Sequence, residues 1–370
     1  MIAYKTIPKI IWVHAALIMF MGLVALYSAS HNNVRVGQAV FYDQLWAAGL
    51  SLLIMGILSQ TDYRKFFEIA YPVYIISVIF LILVLFLGRH ALGATRWFSI
   101  GGFSFQPSEF TKLAVILMLG RYFSQRRPRL SFNLTSSVRG LMENLFYPFA
   151  LTMVSVLLVF KQPDLGTAIL IFGIFVIMLY VSGIPFRVFA GFMGVLAVCT
   201  PFIWFFLKPY QRDRLLVFLN PNHDPMGAGY TIIQSKIAIG SGQLFGKGWL
   251  SGSQSQLNFL PERHTDFIFS VIGEEWGLMG AVVLVYCYAV LIYCGLQIAT
   301  HNKDRFAQAV TIGIIGILAL QVVINIGMVM GLFPVVGITL PFISYGRTSF
   351  IVFAVMLGFL LNLSKRRTLF

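Results

Sequence analysis

The chain has 370 residues, 58% of them apolar and only 11% charged, with a formal net charge of +14. Apolar stretches of about twenty residues recur along it, which excludes a soluble globular protein and reads as a polytopic membrane protein. Lipid offers backbone groups no hydrogen bonds, and unbroken runs such as residues 75–87 lack the alternation of a closed barrel, so the spans are expected to be helices.

The apolar runs lie at residues 10–29, 43–59, 69–88, 108–123, 144–160, 165–182, 188–207, 267–298, 307–330 and 346–363. They predict an all-α polytopic bundle of about ten transmembrane helices, one domain over residues 1–370 with no internal repeat. The first run has no cleavage site followed by a soluble domain and reads as a retained helix. An even number of spans puts both termini on one side. Lys5, Lys9, Arg64, Lys65, the cluster Arg121, Arg126, Arg127, Arg129 and Arg139, then Arg187, Lys303, Arg305 and the tail Lys365, Arg366 and Arg367 fall on that side, which makes it cytoplasmic. The positive charge is therefore a topology signal and not a nucleic-acid footprint. One long extracytoplasmic loop, about 208–265, joins the seventh and eighth spans.

In this topology the even-numbered helices begin at the outer face, and the polar text of the chain gathers at their starts. Gln106-Pro107-Ser108-Glu109-Phe110-Thr111-Lys112 opens the fourth, Lys161-Gln162-Pro163-Asp164-Leu165-Gly166-Thr167 the sixth, His264-Thr265-Asp266 the eighth and Pro341-Phe342-Ile343-Ser344-Tyr345-Gly346 the tenth. Helix N-termini carry partial positive charge and unpaired N–H groups, so several of them around one cavity suit an anionic group such as a pyrophosphate.

Each polar group also has a plain structural reading. Asp164 reads first as a helix cap. Glu109 and Lys112 lie three apart on one face inside a span, where an ionisable residue costs ~2.5–3.5 kcal/mol; they either neutralise each other or mark a cavity. Asp266 shares five residues with Glu262, Arg263 and His264, and is either a cap or a carboxylate kept ionised to accept a proton or hold a divalent cation. Glu274 and Glu275 follow, with nothing to choose which faces a cavity. Tyr210-Gln211-Arg212-Asp213-Arg214 offers two arginines that either grip phosphate or sit at headgroup level. Ile232, Ile233, Ile237 and Ile239 around Gln234, Ser235 and Lys236 predict an amphipathic helix lying on the outer leaflet. Gly246-Lys247-Gly248 lacks the spacing of a phosphate-binding loop, which argues against a nucleotide. The three cysteines, Cys199, Cys287 and Cys294, have no metal-type spacing, so disulfide, haem and other redox chemistry is not indicated.

Together these stretches resemble the SEDS family of bacterial shape, elongation, division and sporulation proteins. The resemblance rests on Arg96-Trp97, Gln106 to Glu109 with Lys112, Gln162 to Thr167, Tyr210-Gln211-Arg212, Gly227-Ala228-Gly229-Tyr230 with Gln234-Ser235, Leu260 to Asp266, and Pro334 to Gly346. These run in family order through nearly the whole chain, and residues 234–269 look most like the elongation branch. Arg347 departs from the pattern, standing where the family's Ser-Tyr-Gly-Gly motif has its second glycine.

The resemblance implies a peptidoglycan glycosyltransferase that polymerises lipid II from its undecaprenyl pyrophosphate carrier at the outer face of the bacterial inner membrane during cell elongation. It also implies a class B penicillin-binding protein and the elongation machinery as partners, and Mg2+ or Mn2+ as a cation. In that reading Asp266 is the catalytic base or a metal ligand. Glu109, Lys112, Arg96, Arg212, Arg214, Gln234, Ser235 and His264 bind substrate. A lipid II flippase and a non-catalytic scaffold are the rivals, and the lack of an inverted repeat and of paired broken helices favours the enzyme.

Overall fold

The computed structural model describes residues 4–365 apart from 32–33, 92–93, 101–102, 126–139, 221–223 and 225–226. Arg126, Arg127, Arg129, Arg139, Arg366 and Arg367 of the topology signal lie outside the described residues. The apolar runs become helices α1 (Ile7–Ser30), α2 (Val34–Leu58), α3 (Arg64–Leu87), α4 (Pro107–Gln125), α5 (Tyr147–Lys161), α6 (Leu165–Val181) and α7 (Phe186–Phe206). The loop after α7 carries α8 (Pro209–Leu219), α9 (Ala228–Ser241) and the single turn α10 (Ser253–Gln256). The chain finishes with α11 (Ile268–Glu275), α12 (Gly277–His301), α13 (Arg305–Val329) and α14 (Arg347–Lys365). Among the described residues seven helices are long and apolar enough to cross a membrane.

α4, α13 and α14 form the interior, buried along most of their length, whereas α2, α3, α5 and α12 keep broad apolar faces outward. Lipid tails give helices no hydrophobic reason to associate, so close packing has to hold them, and small residues allow it. At Gly313 an added Cβ would lie 2.7 Å from Ile116 Cγ2, which brings α13 directly against α4.

Two expectations need correction. The chain is not wholly α: the connection between α3 and α4 folds into a three-stranded antiparallel sheet, β1 (Arg89–Ala91), β2 (Ala94–Ile100) and β3 (Phe103–Phe105), in the order β1-β2-β3. Phe98 pairs with Phe105 and Ile100 with Phe103, so the ladder satisfies backbone groups that a helix would otherwise satisfy. The edge-on contact of Phe105 with Phe80 (5.9 Å between centroids) seats the sheet on α3.

The second correction concerns the apolar run at 267–298, which is not one helix. It breaks at Trp276 and Gly277, where the glycine takes φ +65. The segment 243–248 of the long loop after α7 occupies the break. Lys247 and Gly248 donate their N–H groups to the carbonyls of Glu274 and Glu275, both at 3.0 Å, while Leu278 and Met279 donate to the carbonyls of Gln243 (2.9 Å) and Leu244 (3.1 Å). Backbone freed by the break is thus satisfied by another part of the chain, the condition for breaking a helix at membrane depth. Asp266 consequently does not start a membrane-length helix. It lies in a turn before α11, whose N-cap position is Phe267.

A Cβ at Gly277 would sit 2.3 Å from Gly246 N, so Gly277→Ala is expected to cost ~1–3 kcal/mol from backbone strain, read as a lower thermal midpoint in detergent. Gly49→Ala and Gly56→Ala in α2, which meet nothing within 4 Å, are the controls and should hold or slightly raise it.

Candidate active site

The turn from Leu260 to Phe267 owes its shape to Glu262, which takes φ +50 and whose carbonyl accepts from Thr265 N (3.1 Å) and Phe267 N (3.3 Å). Arg263 points inward: Nε donates to Ala29 O at 2.6 Å and a terminal nitrogen to Ser255 O, tying the turn to α1 and the outer loop. The next three carbonyls are each held from outside. His264 O accepts from Tyr345 N (2.9 Å), Thr265 O from the Ser344 hydroxyl (2.6 Å) and Asp266 O from Asn325 Nδ2 (3.0 Å).

That leaves the Asp266 side chain. It is half-buried, and among the described residues no hydrogen-bond donor reaches its carboxylate. Burial, with help from Glu262 and Asp164, pushes its pKa up to about 6, while Arg214 and Arg96 pull in the other direction. Burial also lowers the His264 imidazole. A carboxylate that is unpaired, close to neutral pH in its titration and flanked by two arginines is chemically suited to accept a proton.

The two arginines reach this place from different elements. Arg96 on β2 is held by the carbonyls of Gln162 (Nε, 3.1 Å) and Pro163. The same Pro163 carbonyl accepts from the Tyr210 hydroxyl at 3.0 Å, and Arg214 lies over the Tyr210 ring while donating to Val335 O at 3.1 Å. Arg212 does not join them. Two residues apart on a helix is roughly 200°, and Arg212 turns back to the end of α7, donating to Trp204 O (3.2 Å) and Phe205 O (3.3 Å).

Two of the four polar helix starts, those of α4 and α6, meet directly. Asp164 is the N-cap of α6: Oδ1 accepts from Thr167 N (3.2 Å), and Oδ2 from the Thr167 hydroxyl (3.0 Å) and Gln106 Nε2 (3.2 Å). Gln106 also donates to Ser108 Oγ at 3.0 Å, which stitches the start of α4 to that of α6.

One layer deeper, Lys112 is 0% exposed. Its Nζ lies 2.9 Å from Glu109 Oε1, 2.8 Å from Oε2 and 3.0 Å from Gln321 Oε1, and 5.4 Å from the centroid of the Phe353 ring. The pair is therefore sealed and self-matched, not open to a bound molecule. Gln321 Nε2 donates to Thr339 O at 2.8 Å, and Asn325 Nδ2 to Ile338 O at 2.6 Å. These two amides were absent from the sequence reading, although polar residues four apart in the apolar α13 were the available signal.

The remaining candidates are structural in position. Ser235 is fully buried, 2.8 Å from Ser270 Oγ and donating to Val329 O at 2.6 Å, so α9 is packed on α11 rather than lying free on the leaflet; Gln234 is half-buried beside it. Glu274 accepts from Lys247 Nζ (3.0 Å), Gln254 N (2.9 Å) and Ser255 N (3.0 Å), and Glu275 from the Ser28 hydroxyl (2.5 Å) and Gln256 Nε2 (3.2 Å). Both glutamates thus anchor the outer loop. Arg347 pairs with Asp43 on α2 at 3.4 Å.

Among the described residues no three His, Cys, Asp or Glu side chains stand together as a metal cage. Asp266, one carboxylate beside two arginines, makes no all-protein cage; Mg2+ or Mn2+ would be held there only together with phosphate oxygens of a bound substrate and water.

Removing one member of a buried ion pair strands the other. Lys112→Met is expected to destabilise the bundle by about 3–5 kcal/mol, whereas Lys112→Met with Glu109→Gln should recover most of the lost thermal stability. Thermal unfolding in detergent checks both; a single variant that melts with the parent would mean that Glu109 carries no charge to be matched.

Known proteins share this arrangement along the whole chain. A family model described as "cell cycle protein", for the FtsW, RodA and SpoVE group, matches residues 8–369. Peptidoglycan glycosyltransferase MrdB of Escherichia coli (strain K12) is 40% identical over 363 residues, covering 97% of this chain and 94% of the relative. Stage V sporulation protein E of Bacillus subtilis (strain 168) is 37% identical over 371 residues, covering 98% of each. Among solved structures, a chain from work on the structural coordination of polymerization and crosslinking by a peptidoglycan synthase complex superposes with TM-score 0.81 at 33% identity, covering 97% of this chain and 98% of that one. The rod shape determining protein RodA of Thermus thermophilus gives TM-score 0.69 at 29% identity, covering 96% of each chain. With sequence and fold agreeing from end to end, the chain belongs to the FtsW, RodA and SpoVE family of cell cycle proteins.

Proposed function

We propose that the chain is a peptidoglycan glycosyltransferase that polymerises lipid II at the outer face of the bacterial inner membrane during elongation. It works there with a class B penicillin-binding protein. The activity is the one named for the E. coli relative at 40% identity. The observation that carries the residue assignment is the unpaired Asp266 carboxylate flanked by Arg96 and Arg214, where the starts of α4 and α6 meet the stretch 335–346. The ten apolar runs, with α11 and α12 together as the eighth, support ten spans with both termini in the cytoplasm, which puts this end of the bundle outside.

In the reaction an acceptor sugar hydroxyl attacks the anomeric carbon of the donor. The new glycosidic C–O bond forms as the C–O bond to the undecaprenyl diphosphate breaks, and the hydroxyl proton passes to Asp266. Negative charge gathers on the departing diphosphate, and Arg96 and Arg214, held in place by backbone carbonyls, are placed to receive it without reorganising. Arg212 has no part in that step in this geometry. Lys112 and Glu109 act through the rigidity of the α4 start rather than by touching substrate.

The break between α11 and α12 is a feature that a lipid II flippase would also use, but a transporter built on repeats carries such breaks in pairs and the described residues show one. A flippase moves fluorescent lipid II between leaflets without making polymer. Asp266→Asn should lower polymer formation from purified lipid II by about 10²–10⁴-fold, the usual worth of a general base. A variant polymerising at the parental rate would remove Asp266 from the chemistry.

The base works only deprotonated, so the polymerisation rate should fall as pH drops through about 6, higher than an ordinary carboxylate would give. A pH profile of kcat/KM, which reports the free enzyme and is measured at sub-saturating lipid II, checks this, and an acid limb with its midpoint below pH 5 would contradict it.

A further inference from the structure

Two side chains of α13 have no role in the reaction as written, yet both are amides sealed in an apolar helix. Asn325 is fully buried, and its Nδ2 donates to the carbonyls of Asp266 (3.0 Å) and Ile338 (2.6 Å). Gln321, one turn earlier on the same face, accepts from Lys112 Nζ (3.0 Å) and donates to Thr339 O (2.8 Å). Ile338 and Thr339 are consecutive, so the two amides grip neighbouring peptide groups of one irregular stretch. Gly337, just before them, takes φ +72, and a Cβ there would lie 3.5 Å from Asp266 Oδ2. The Asp266 carboxylate therefore lies beside the backbone that Asn325 holds. Asn325 Oδ1 is buried without a hydrogen-bond partner among the described residues, so this amide is kept for what its nitrogen holds.

The tethering of the turn is uneven. His264 and Thr265 are held by Tyr345 and Ser344, which leaves Asn325 as the side chain that fixes the peptide of Asp266 itself. The carboxylate has no tether of its own, so the peptide carries the whole burden of aiming it.

We infer that Asn325 is a positioning residue for Asp266, and that Gln321 keeps the same stretch in register with Lys112. One face of α13 thereby sets where the proton acceptor stands relative to the buried cation at the start of α4. The inference rests on the proposed role of Asp266. It predicts a defect in turnover rather than in substrate capture, since both amides are sealed inside the bundle, out of reach of a bound molecule.

The test uses the full-length chain with lipid II and compares Asn325→Ala, Asp266→Asn and the double variant. Asn325→Ala should lower kcat by about 10–100-fold, the scale of a misplacement near 1 Å, with KM for lipid II within about twofold of the parent. In the double variant the Asn325 substitution should add no further loss, because residues that act as one unit are not additive. A merely structural Asn325 would instead lower the thermal midpoint and leave kcat per folded molecule unchanged. If the alanine variant does not fold, Asn325→Leu, similar in volume and without polar atoms, takes its place in the same comparison. The inference is overturned by a parental kcat for the Asn325 variant beside an inactive Asp266→Asn, or by equal losses in the two backgrounds. Asp266→Asn polymerising at the parental rate would instead remove the base itself, and the positioning role with it.

Discussion

A lysine ammonium can be sealed among membrane helices only if its charge is matched on the spot, and Lys112 meets that condition through Glu109 and Gln321. An uncompensated ion in that interior would cost several kcal/mol, so the pair binds α4 to α13 in a definite register. From α13 the same network continues through Thr339 and Ile338 to the turn that carries Asp266. The Asp266 carboxylate is thus placed by groups sealed in the interior of the bundle. This is how a bundle of otherwise sliding apolar helices acquires a fixed geometry at one end.

The long loop between α7 and α11 is held by the same logic of satisfied polar groups. Glu274 and Glu275, both buried, take their hydrogen bonds from residues 247–256 and from α1, while the broken backbone between α11 and α12 exchanges hydrogen bonds with residues 243–248. An extended loop over a membrane surface would ordinarily wander. Here its carboxylate anchors and its backbone pairing make it part of the bundle, and α9 packs down on α11 through Ser235 and Ser270.

The basic residues divide into three tasks. Arg96 and Arg214, each braced by main-chain oxygens, both draw the Asp266 carboxyl downward in pKa through their charge. Arg212 and Arg263 spend their donors on carbonyls elsewhere and act as struts. Arg347, at the position where the related motif carries glycine, reaches across to Asp43 on α2, and the Tyr345 hydroxyl meets the same carboxylate at 3.4 Å. The side chain is accommodated because it points to a partner helix instead of into the backbone contact at the motif.

The apolar helices, seven of them long and apolar enough to cross a membrane among the described residues, were legible from residue order alone, because the cost of exposing backbone to lipid makes a twenty-residue apolar run a helix. So was the gathering of polar text at one end, including the capping by Asp164, which needs only a local hydrogen bond to Thr167. The hairpin at 89–105 was missed because its ladder is decided by pairing across the turn, and the break at Gly277 because its partners lie some thirty residues away. The sorting of Arg212 from Arg214 needed the helix phase of α8. The parts played by Gln321 and Asn325 needed three distant segments brought together. Composition and charge bias thus determined that this protein is a helical bundle with its polar residues gathered toward one end. Tertiary structure alone decided which carboxylate there stays unpaired, because that depends on which other polar groups the folded chain had already satisfied.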